Sequence, residues 1–170
     1  MIITDENRER WIKKVSLEPS LIESVRNCDV LLLPTDFKDI TNGFYSTSSD
    51  FLQYIQKKEN ITTDICINDD DYKLISLNSR EFRLGDFILK GMVLPIFIGV
   101  VIEYISDYLK ASPKEDKVSI SIIIEKDDGN YKLEYNGNIE NFLKLEGKLN
   151  EKTKNEENNR SSTKFQNKEI

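Results

Sequence analysis

The longest apolar stretch of the chain spans residues 86–110, and it carries no charge between Gly91 and Ile102. Small and polar residues recur in it at spacings of four or three, which places them along one side of a helix. These residues are Gly91, Pro95, Gly99, Glu103, Ser106 and Lys110. A membrane span needs roughly 20 mostly apolar residues, whereas a shorter uncharged core is more typical of a buried helix. The pattern therefore predicts a central core helix over 86–110.

Pro95 is unfavourable inside such a helix, because proline lacks an N–H and its ring crowds the carbonyl four residues earlier. That carbonyl belongs to Gly91, whose flexible backbone could absorb a kink. Alternatively, the helix breaks near Gly91 and Pro95 opens a second helix in its favoured first turn. The sequence leaves both arrangements open.

Five other segments have the residue patterns of strands: 29–34, 61–67, 72–77, 117–125 and 131–135. The first is a continuous apolar run ended by proline, which predicts a central strand buried on both faces. The second and third are joined by the polar turn 68–71, and the fourth and fifth by a turn containing Asp-Gly. Both connections predict antiparallel pairs.

Amphipathic or capped segments predict further helices over 5–16, 20–25, 47–59 and 138–149. The element order is then α-α-β-α-β-β-α-β-β-α. Crossover helices favour parallel neighbours, and tight turns impose antiparallel ones. We therefore expect an α/β fold with a mixed five-stranded sheet around the central helix. Residues 1–149 would form a single domain, followed by a disordered polar tail over 150–170.

The composition excludes several kinds of chemistry. The 170 residues include no histidine and carry a formal net charge of −6. Histidine is the commonest general base and metal ligand, and basic clusters are needed to bind phosphate backbones. The chain also lacks the glycine motifs of nucleotide-binding loops. We therefore expect no catalytic residues, cofactor, metal or nucleic-acid partner.

The cellular location is predicted from weaker signals. Cys28 and Cys66 lie among apolar residues without metal-binding or redox spacing, which is typical of buried thiols in a reducing cytosol. The first residues do not resemble a secretion signal. We therefore expect a cytoplasmic protein without a membrane segment. The enrichment in Ile, Lys and Asn indicates an AT-rich bacterial or phage genome.

The best candidate for ligand binding is the polar segment 35–49. It would leave the carboxyl end of the central strand and enter a helix N-terminus, where α/β sheets bind ligands. Its candidate binding residues are Asp36, Asp39, Thr41, Asn42, Tyr45, Ser48 and Ser49. The alternative interpretation is a structural or partner-contacting surface loop.

Three weaker candidates are more easily explained structurally. The aspartates at 69–71, with Asp64 nearby, could hold a hard cation but are typical of a solvated turn. Glu103 could be a buried acid or base, or reach the surface along the small-residue stripe. Arg80 and Arg83 could bind an anion or pair with neighbouring acids.

The preferred functional prediction is a non-catalytic accessory module that binds another protein or itself. Its contact surface would be the hairpin 117–135, whose return strand has no later strand to pair with. The candidate interaction residues are Ile123, Lys132, Leu133 and Glu134. The alternative is a small-ligand-binding protein or enzyme that uses the 35–49 segment, with Asp36 or Asp39 contacting the ligand.

Overall fold

The architecture was analysed in a computed structural model that describes residues 1–58, 60–77, 81–109 and 117–144. The strands are β1 (Ile2–Thr4), β2 (Val30–Leu33), β3 (Thr35–Phe37), β4 (Ile40–Tyr45), β5 (Thr63–Ile65), β6 (Lys73–Ile75), β7 (Glu81–Lys90), β8 (Lys117–Lys126) and β9 (Gly129–Asn138). The α-helices are α1 (Arg8–Lys14), α2 (Pro19–Asn27), α3 (Ser46–Gln56), α4 (Leu94–Leu109) and α5 (Ile139–Leu143). The predicted tail 150–170 lies outside the described residues.

The main sheet has six strands in the order β1-β9-β8-β7-β2-β5. Its pairs β7–β8 and β2–β5 are parallel, whereas β1–β9, β8–β9 and β2–β7 are antiparallel. A second sheet of three strands has the order β3-β4-β6. The predicted α/β class, mixed sheet and single domain are confirmed, with one more strand in the main sheet than expected.

The two faces of the main sheet have different coverings. On the helix face, Phe87 of β7 contacts Phe51 of α3 and Phe97 of α4, with ring centroids 5.8 and 5.3 Å away. Phe142 of α5 packs on the Tyr135 ring of β9, 5.0 Å between centroids. We call the opposite side the cleft face. Its end at the carboxyl ends of β7 and β8 is covered, since Ile88 and Ile123 are buried there, and Arg8 of α1 contacts this end at Glu125.

Arg8 of α1 forms the contacts that hold α1 against this end of the sheet. Its Nε donates to Glu125 Oε2 of β8 at 2.7 Å, and its NH1 group donates to the carbonyls of Val25 and Cys28 at 2.9 and 2.6 Å. The guanidinium is almost fully buried. A buried cation needs such partners, because transfer of an unpaired charge out of water is costly. Arg8 therefore joins α1, the end of α2 and the main sheet.

The predicted central helix is present, but the predicted start of the helix at residue 86 is wrong. Residues 86–90 complete β7, a short 3-10 turn covers Gly91–Val93, and α4 begins at Leu94. Pro95 therefore lies in the first helical turn, as in the second of the two arrangements considered above. The apolar run is continuous because β7 and α4 are both buried, so hydrophobicity alone does not mark their boundary. The segment Gly91–Tyr108 is long and apolar enough to cross a membrane, a property shared by core helices of folded domains.

The predicted pairing of 61–67 with 72–77 is also wrong. β5 instead pairs parallel with β2 at the edge of the main sheet, and β6 pairs parallel with β4 in the small sheet. The polar turn 68–71 indicated a hairpin, but the partner of β6 is β4, whose sequence pattern does not indicate a strand. The second predicted hairpin is confirmed: β8 and β9 pair antiparallel along their full lengths.

Candidate functional site

The cleft face owes its chemistry to a bulge in β7. The pairing with β8 runs from Arg83 opposite Ser119 directly to Gly85 opposite Ile120, so Leu84 is an extra residue. Residues three apart in a regular strand point to opposite faces. The bulge corrects this parity, and Arg83 and Asp86 both reach the cleft face.

Gly85 makes the bulge possible. Its φ of +103° lies in a region that side-chain-bearing residues rarely adopt. A Cβ at this position would also lie 2.6 Å from Ser48 Oγ of α3. Both the backbone conformation and the close approach of α3 therefore require glycine here.

Two rows of polar side chains cross β7, β8 and β9 above the covered end of the cleft face. The first row contains Asp86, Ser121 and Glu134. The second row contains Arg83, Ser119 and Asn136. Neighbouring strands lie about 4.8 Å apart, so each row spans about 10 Å from its first to its last backbone.

These rows form the floor of a cleft with a volume of about 390 Å³. Its lining residues are Thr35, Tyr45, Glu81, Arg83, Gly85, Asp86, Ser119, Ile120, Ser121, Glu134, Tyr135 and Asn136. Thr35 and Tyr45 come from β3 and β4, so the small sheet walls one side. The volume lies within the range of about 300–1,000 Å³ that is usual for small-molecule sites.

Arg83 is held by partners on both sheets. Its NH1 group donates to the Tyr45 hydroxyl at 3.1 Å, and NH2 donates to Glu81 Oε2 at 2.9 Å. The guanidinium also lies 5.5 Å from the Phe37 ring and 5.4 Å from the Tyr45 ring. The hydrogen bond to Tyr45 raises the pKa of Arg83, with burial opposing and Glu81 reinforcing it. Arg83 Nε is buried without a partner in the described part of the chain.

Asp86 has a different environment. Burial raises the pKa of its half-buried carboxyl, with the charge of Lys132 opposing this and that of Glu134 reinforcing it. Hydrogen bonding by Ser121, beside it in the row, also lowers the pKa of Asp86. Lys132 Nζ is 2.8 Å from Glu134 Oε1, and this hydrogen bond raises the pKa of Lys132. The ammonium that opposes this rise in the pKa of Asp86 is therefore already paired with another carboxylate.

The structure brings only one of the residues predicted in the 35–49 segment into this cleft. The segment is a β-hairpin leading into α3 and not a loop, and Tyr45 is its predicted residue in the lining. Asp36 Oδ1 accepts from the Asn42 backbone N–H at 2.9 Å, a contact within the hairpin. Asp39 is exposed in its turn, and Thr41 is exposed near the start of β4.

The last two predicted binding residues lie on α3, away from the cleft. Ser49 Oγ hydrogen-bonds to the Tyr72 hydroxyl at 2.7 Å. Ser48 is buried against Gly85, and its Oγ has no hydrogen-bond partner among the described residues. These side chains serve packing between α3 and its neighbours.

The predicted interaction residues of β8 and β9 do not lie on one common surface. Ile123 was predicted to contact a partner, but it is 2% exposed in the covered part of the cleft face. Leu133 packs against the core from the helix face. Lys132 and Glu134 pair with each other, and Glu134 lines the cleft.

The return strand β9 is not the edge that was predicted. β1 pairs with it antiparallel, placing Ile2 opposite Lys132 and Thr4 opposite Asn130. This strand was not predictable from the sequence, because a segment of three residues shows no recognisable period. The outer position in the sheet therefore belongs to β1.

The weaker candidates do not contribute to the cleft. Glu103 is exposed, and both of its carboxylate oxygens accept from Lys58 Nζ at 2.9 Å. The aspartates at 69–71 form an exposed 3-10 turn. Groups of three or more His, Cys, Asp or Glu that could hold a metal ion are absent from the described residues. Arg80 lies outside the described residues.

Sequence reasoning missed Asp86, Ser119, Ser121 and Asn136 as one site. Asp86 was assigned to the start of a helix, so its position beside the two serines could not be inferred. The available signal was Gly85, since an isolated glycine within a strand pattern indicates a bulge.

No protein-family model, curated protein or solved structure matches the chain.

Proposed function

We propose that the protein is a non-catalytic binding protein whose cleft holds a small polar ligand. The observation that carries this proposal is the bulge at Gly85, which brings the side chains of Arg83 and Asp86 to the same concave polar surface. Bulges commonly re-aim side chains beside functional sites. The cleft borders the 35–49 segment, so the site lies on the sheet beside that segment.

The lining groups suit recognition by hydrogen bonds. Ser119, Ser121 and Asn136 offer hydroxyl and amide groups that can both donate and accept. Asp86 and Glu134 add acceptors, and Tyr45 adds an aromatic wall. Sites for small polar molecules combine such converging groups with a preformed concave shape.

A test combines ligand-observed and backbone NMR. A fragment collection of polar compounds would be titrated into ¹⁵N-labelled protein, following the amides of Ser119, Ser121 and Asn136. We expect at least one compound to shift these amides, and the variant Ser119→Tyr, which fills the cleft, to abolish the response. Ser20→Tyr, on the exposed side of α2, is the matched control and should bind as the wild type does.

Two results would contradict the proposal. One is the absence of any compound that perturbs the cleft amides. The other is a set of hits whose binding survives Ser119→Tyr, provided that circular dichroism shows the same fold in both tyrosine variants.

A second candidate function is protein binding or self-association by strand addition. β1 is the outer strand of the main sheet, with Ile2 and Ile3 64% and 82% exposed. Within the described residues no strand pairs with its outer side. Edge strands with exposed apolar side chains and no protecting charge are sites where further strands can add. This observation moves the predicted contact from the hairpin 117–135 to its neighbour β1.

The molar mass in solution and pull-downs from a bacterial lysate test this second candidate. Ile3→Lys places a charge on the edge, and Met92→Lys is a matched control at another exposed apolar position. Strand addition predicts that Ile3→Lys alone removes the association. A monomeric wild type without captured partners would contradict it.

A cytoplasmic location is part of the proposal. Cys28 and Cys66 are both free and buried, in keeping with a reducing compartment. Secretion of the native protein into an oxidising compartment would contradict this location.

A further inference from the structure

Acidic side chains outnumber basic ones among the described residues that line the cleft. Glu81, Asp86 and Glu134 line it, whereas Arg83 is the one basic residue among the described lining residues. Arg83 is paired with Glu81 at 2.9 Å, and Lys132 with Glu134 at 2.8 Å. Asp86 forms no ion pair within the described part of the chain.

The surroundings of Asp86 leave it short of positive charge. The groups that act on it are the Lys132 ammonium, the Glu134 and Glu6 carboxylates, and the Ser121 hydroxyl. Two carboxylates therefore raise the pKa of Asp86 and one ammonium lowers it, and that ammonium is itself bound to Glu134. A carboxylate withdrawn from water is stabilised by a paired cation and is costly without one.

Arg83 is a poor receptor for an anion. Its two terminal nitrogens donate to Tyr45 and Glu81, and its guanidinium lies beside two aromatic rings. Its Nε has no partner among the described residues, but this atom is buried and a ligand in the cleft does not reach it. An incoming carboxylate or phosphate would have to displace Glu81 and also enter a region rich in negative charge. A cation meets neither obstacle.

We propose that the ligand of the cleft is a small organic amine whose ammonium group binds the Asp86 carboxylate. This inference rests on the proposed function of the cleft and adds the chemical class of its ligand. The ammonium would lie on the floor between Asp86 and Glu134, where Ser121 provides a further acceptor. Hydroxyl or amide groups of the ligand would then meet Ser119 and Asn136.

The experiment uses defined probes at constant ionic strength. Ethanolamine, putrescine and spermidine represent amines, phosphate and citrate represent anions, and sorbitol represents neutral polyols. Each would be titrated into the ¹⁵N-labelled wild type, Asp86→Asn and Asp70→Asn. Asp70 is an exposed aspartate outside the cleft and provides a control for the overall acidity of the protein.

We expect at least one amine to shift the amides of Ser119, Ser121 and Asn136. Asp86→Asn should weaken this binding by about tenfold or more, because the ammonium loses a charged hydrogen-bond partner. Asp70→Asn should leave the affinity within about twofold, because exposed charges contribute little. Circular dichroism of Asp86→Asn checks that the fold is retained.

The remaining outcomes separate the two levels of the proposal. Binding of citrate, phosphate or sorbitol at these amides without any amine would overturn the ligand class and leave the cleft as a binding site. Amine binding of equal strength in the wild type and Asp86→Asn would overturn the role of Asp86. If none of the probes shifts the cleft amides, the amine inference fails; a fragment hit in the separate test would show that the cleft still binds a ligand.

Discussion

Replacement of Gly85 by alanine should destabilise the protein by a predictable amount. Gly85 has a φ of +103° and closes the bulge that brings Arg83 and Asp86 to one face. An alanine must either keep this conformation at a cost or flatten the strand. In the second case, the parity of β7 changes and the cleft loses its floor.

The magnitude has two parts. A left-handed backbone costs an L-residue roughly 1–2 kcal/mol. The added Cβ would lie 2.6 Å from Ser48 Oγ, 3.3 Å from Ser48 Cβ and 3.4 Å from Leu32 Cδ1, and all three atoms belong to buried residues. Overpacking of a core typically costs about 1–3 kcal/mol. We therefore expect Gly85→Ala to lower the free energy of unfolding by roughly 2–5 kcal/mol.

A double-mutant cycle separates the two parts. Ser48→Ala removes the Oγ atom that the new methyl group would meet, and this hydroxyl has no hydrogen-bond partner among the described residues. Gly85→Ala should therefore cost less in the Ser48→Ala background, by about 1 kcal/mol or more, while the backbone part remains. Gly99 provides a control, because a Cβ there meets nothing within 4 Å. Gly99→Ala should stabilise α4 by about 0.5–1 kcal/mol.

Urea unfolding followed by circular dichroism measures these differences. The reasoning is refuted if Gly85→Ala unfolds within about 0.5 kcal/mol of the wild type, the usual range for harmless surface changes. A cost that is identical in the Ser48→Ala background would refute the steric part alone.

Local patterns were sufficient for the elements that they fully describe. The hairpin of β8 and β9 was predictable because alternating isoleucines flank a turn with Asp-Gly. The buried strand β2 was predictable from its unbroken apolar run. In both cases the neighbours in sequence supply most of the signal.

Elements stabilised by distant partners were not predictable in this way. β3 and β4 have a polar composition, so they were interpreted as a loop, although β4 pairs with β6 from a later part of the chain. β1 is only three residues long and exists by pairing with β9. Tertiary pairing, and not intrinsic preference, decides such strands.

The candidate site was predictable only in fragments. Tyr45 and Glu134 were named for other reasons, and Ser119 and Ser121 lie in a strand, 117–125, that the sequence pattern predicts. The position of Asp86 depends on one extra residue in β7, which changes the sheet face to which each later side chain of the strand points. A hydrophobicity pattern that continues into α4 conceals that change.

Three further predictions concern other parts of the account. Because folding raises the pKa of Asp86, its carboxyl contributes stability at low pH, and this contribution is lost as the pH rises through the folded-state pKa. Asp86→Asn should therefore be more stable than the wild type near pH 7. Urea titrations should show this gain disappearing near pH 3. Burial raises the pKa of Cys66 to about 12, so a thiol reagent near pH 8 should label this residue only after unfolding, and labelling of the native protein would contradict its burial. Arg8→Ala should lower the free energy of unfolding by roughly 3–5 kcal/mol, because it leaves Glu125 without its partner. Arg10→Ala, which breaks an exposed ion pair, should lower it by less than about 1 kcal/mol in the same urea assay.

The most direct test of the central claim is a ¹³C NMR titration of the Asp86 carboxyl, with and without a saturating amine such as putrescine. The account predicts that the free protein titrates above the usual range for aspartate, since burial raises the pKa of Asp86. It predicts that the bound amine lowers this pKa, because an adjacent cation favours the ionised form. An Asp86 that titrates at the ordinary value and does not respond to the amine would contradict both the desolvated cleft floor and the proposed ligand.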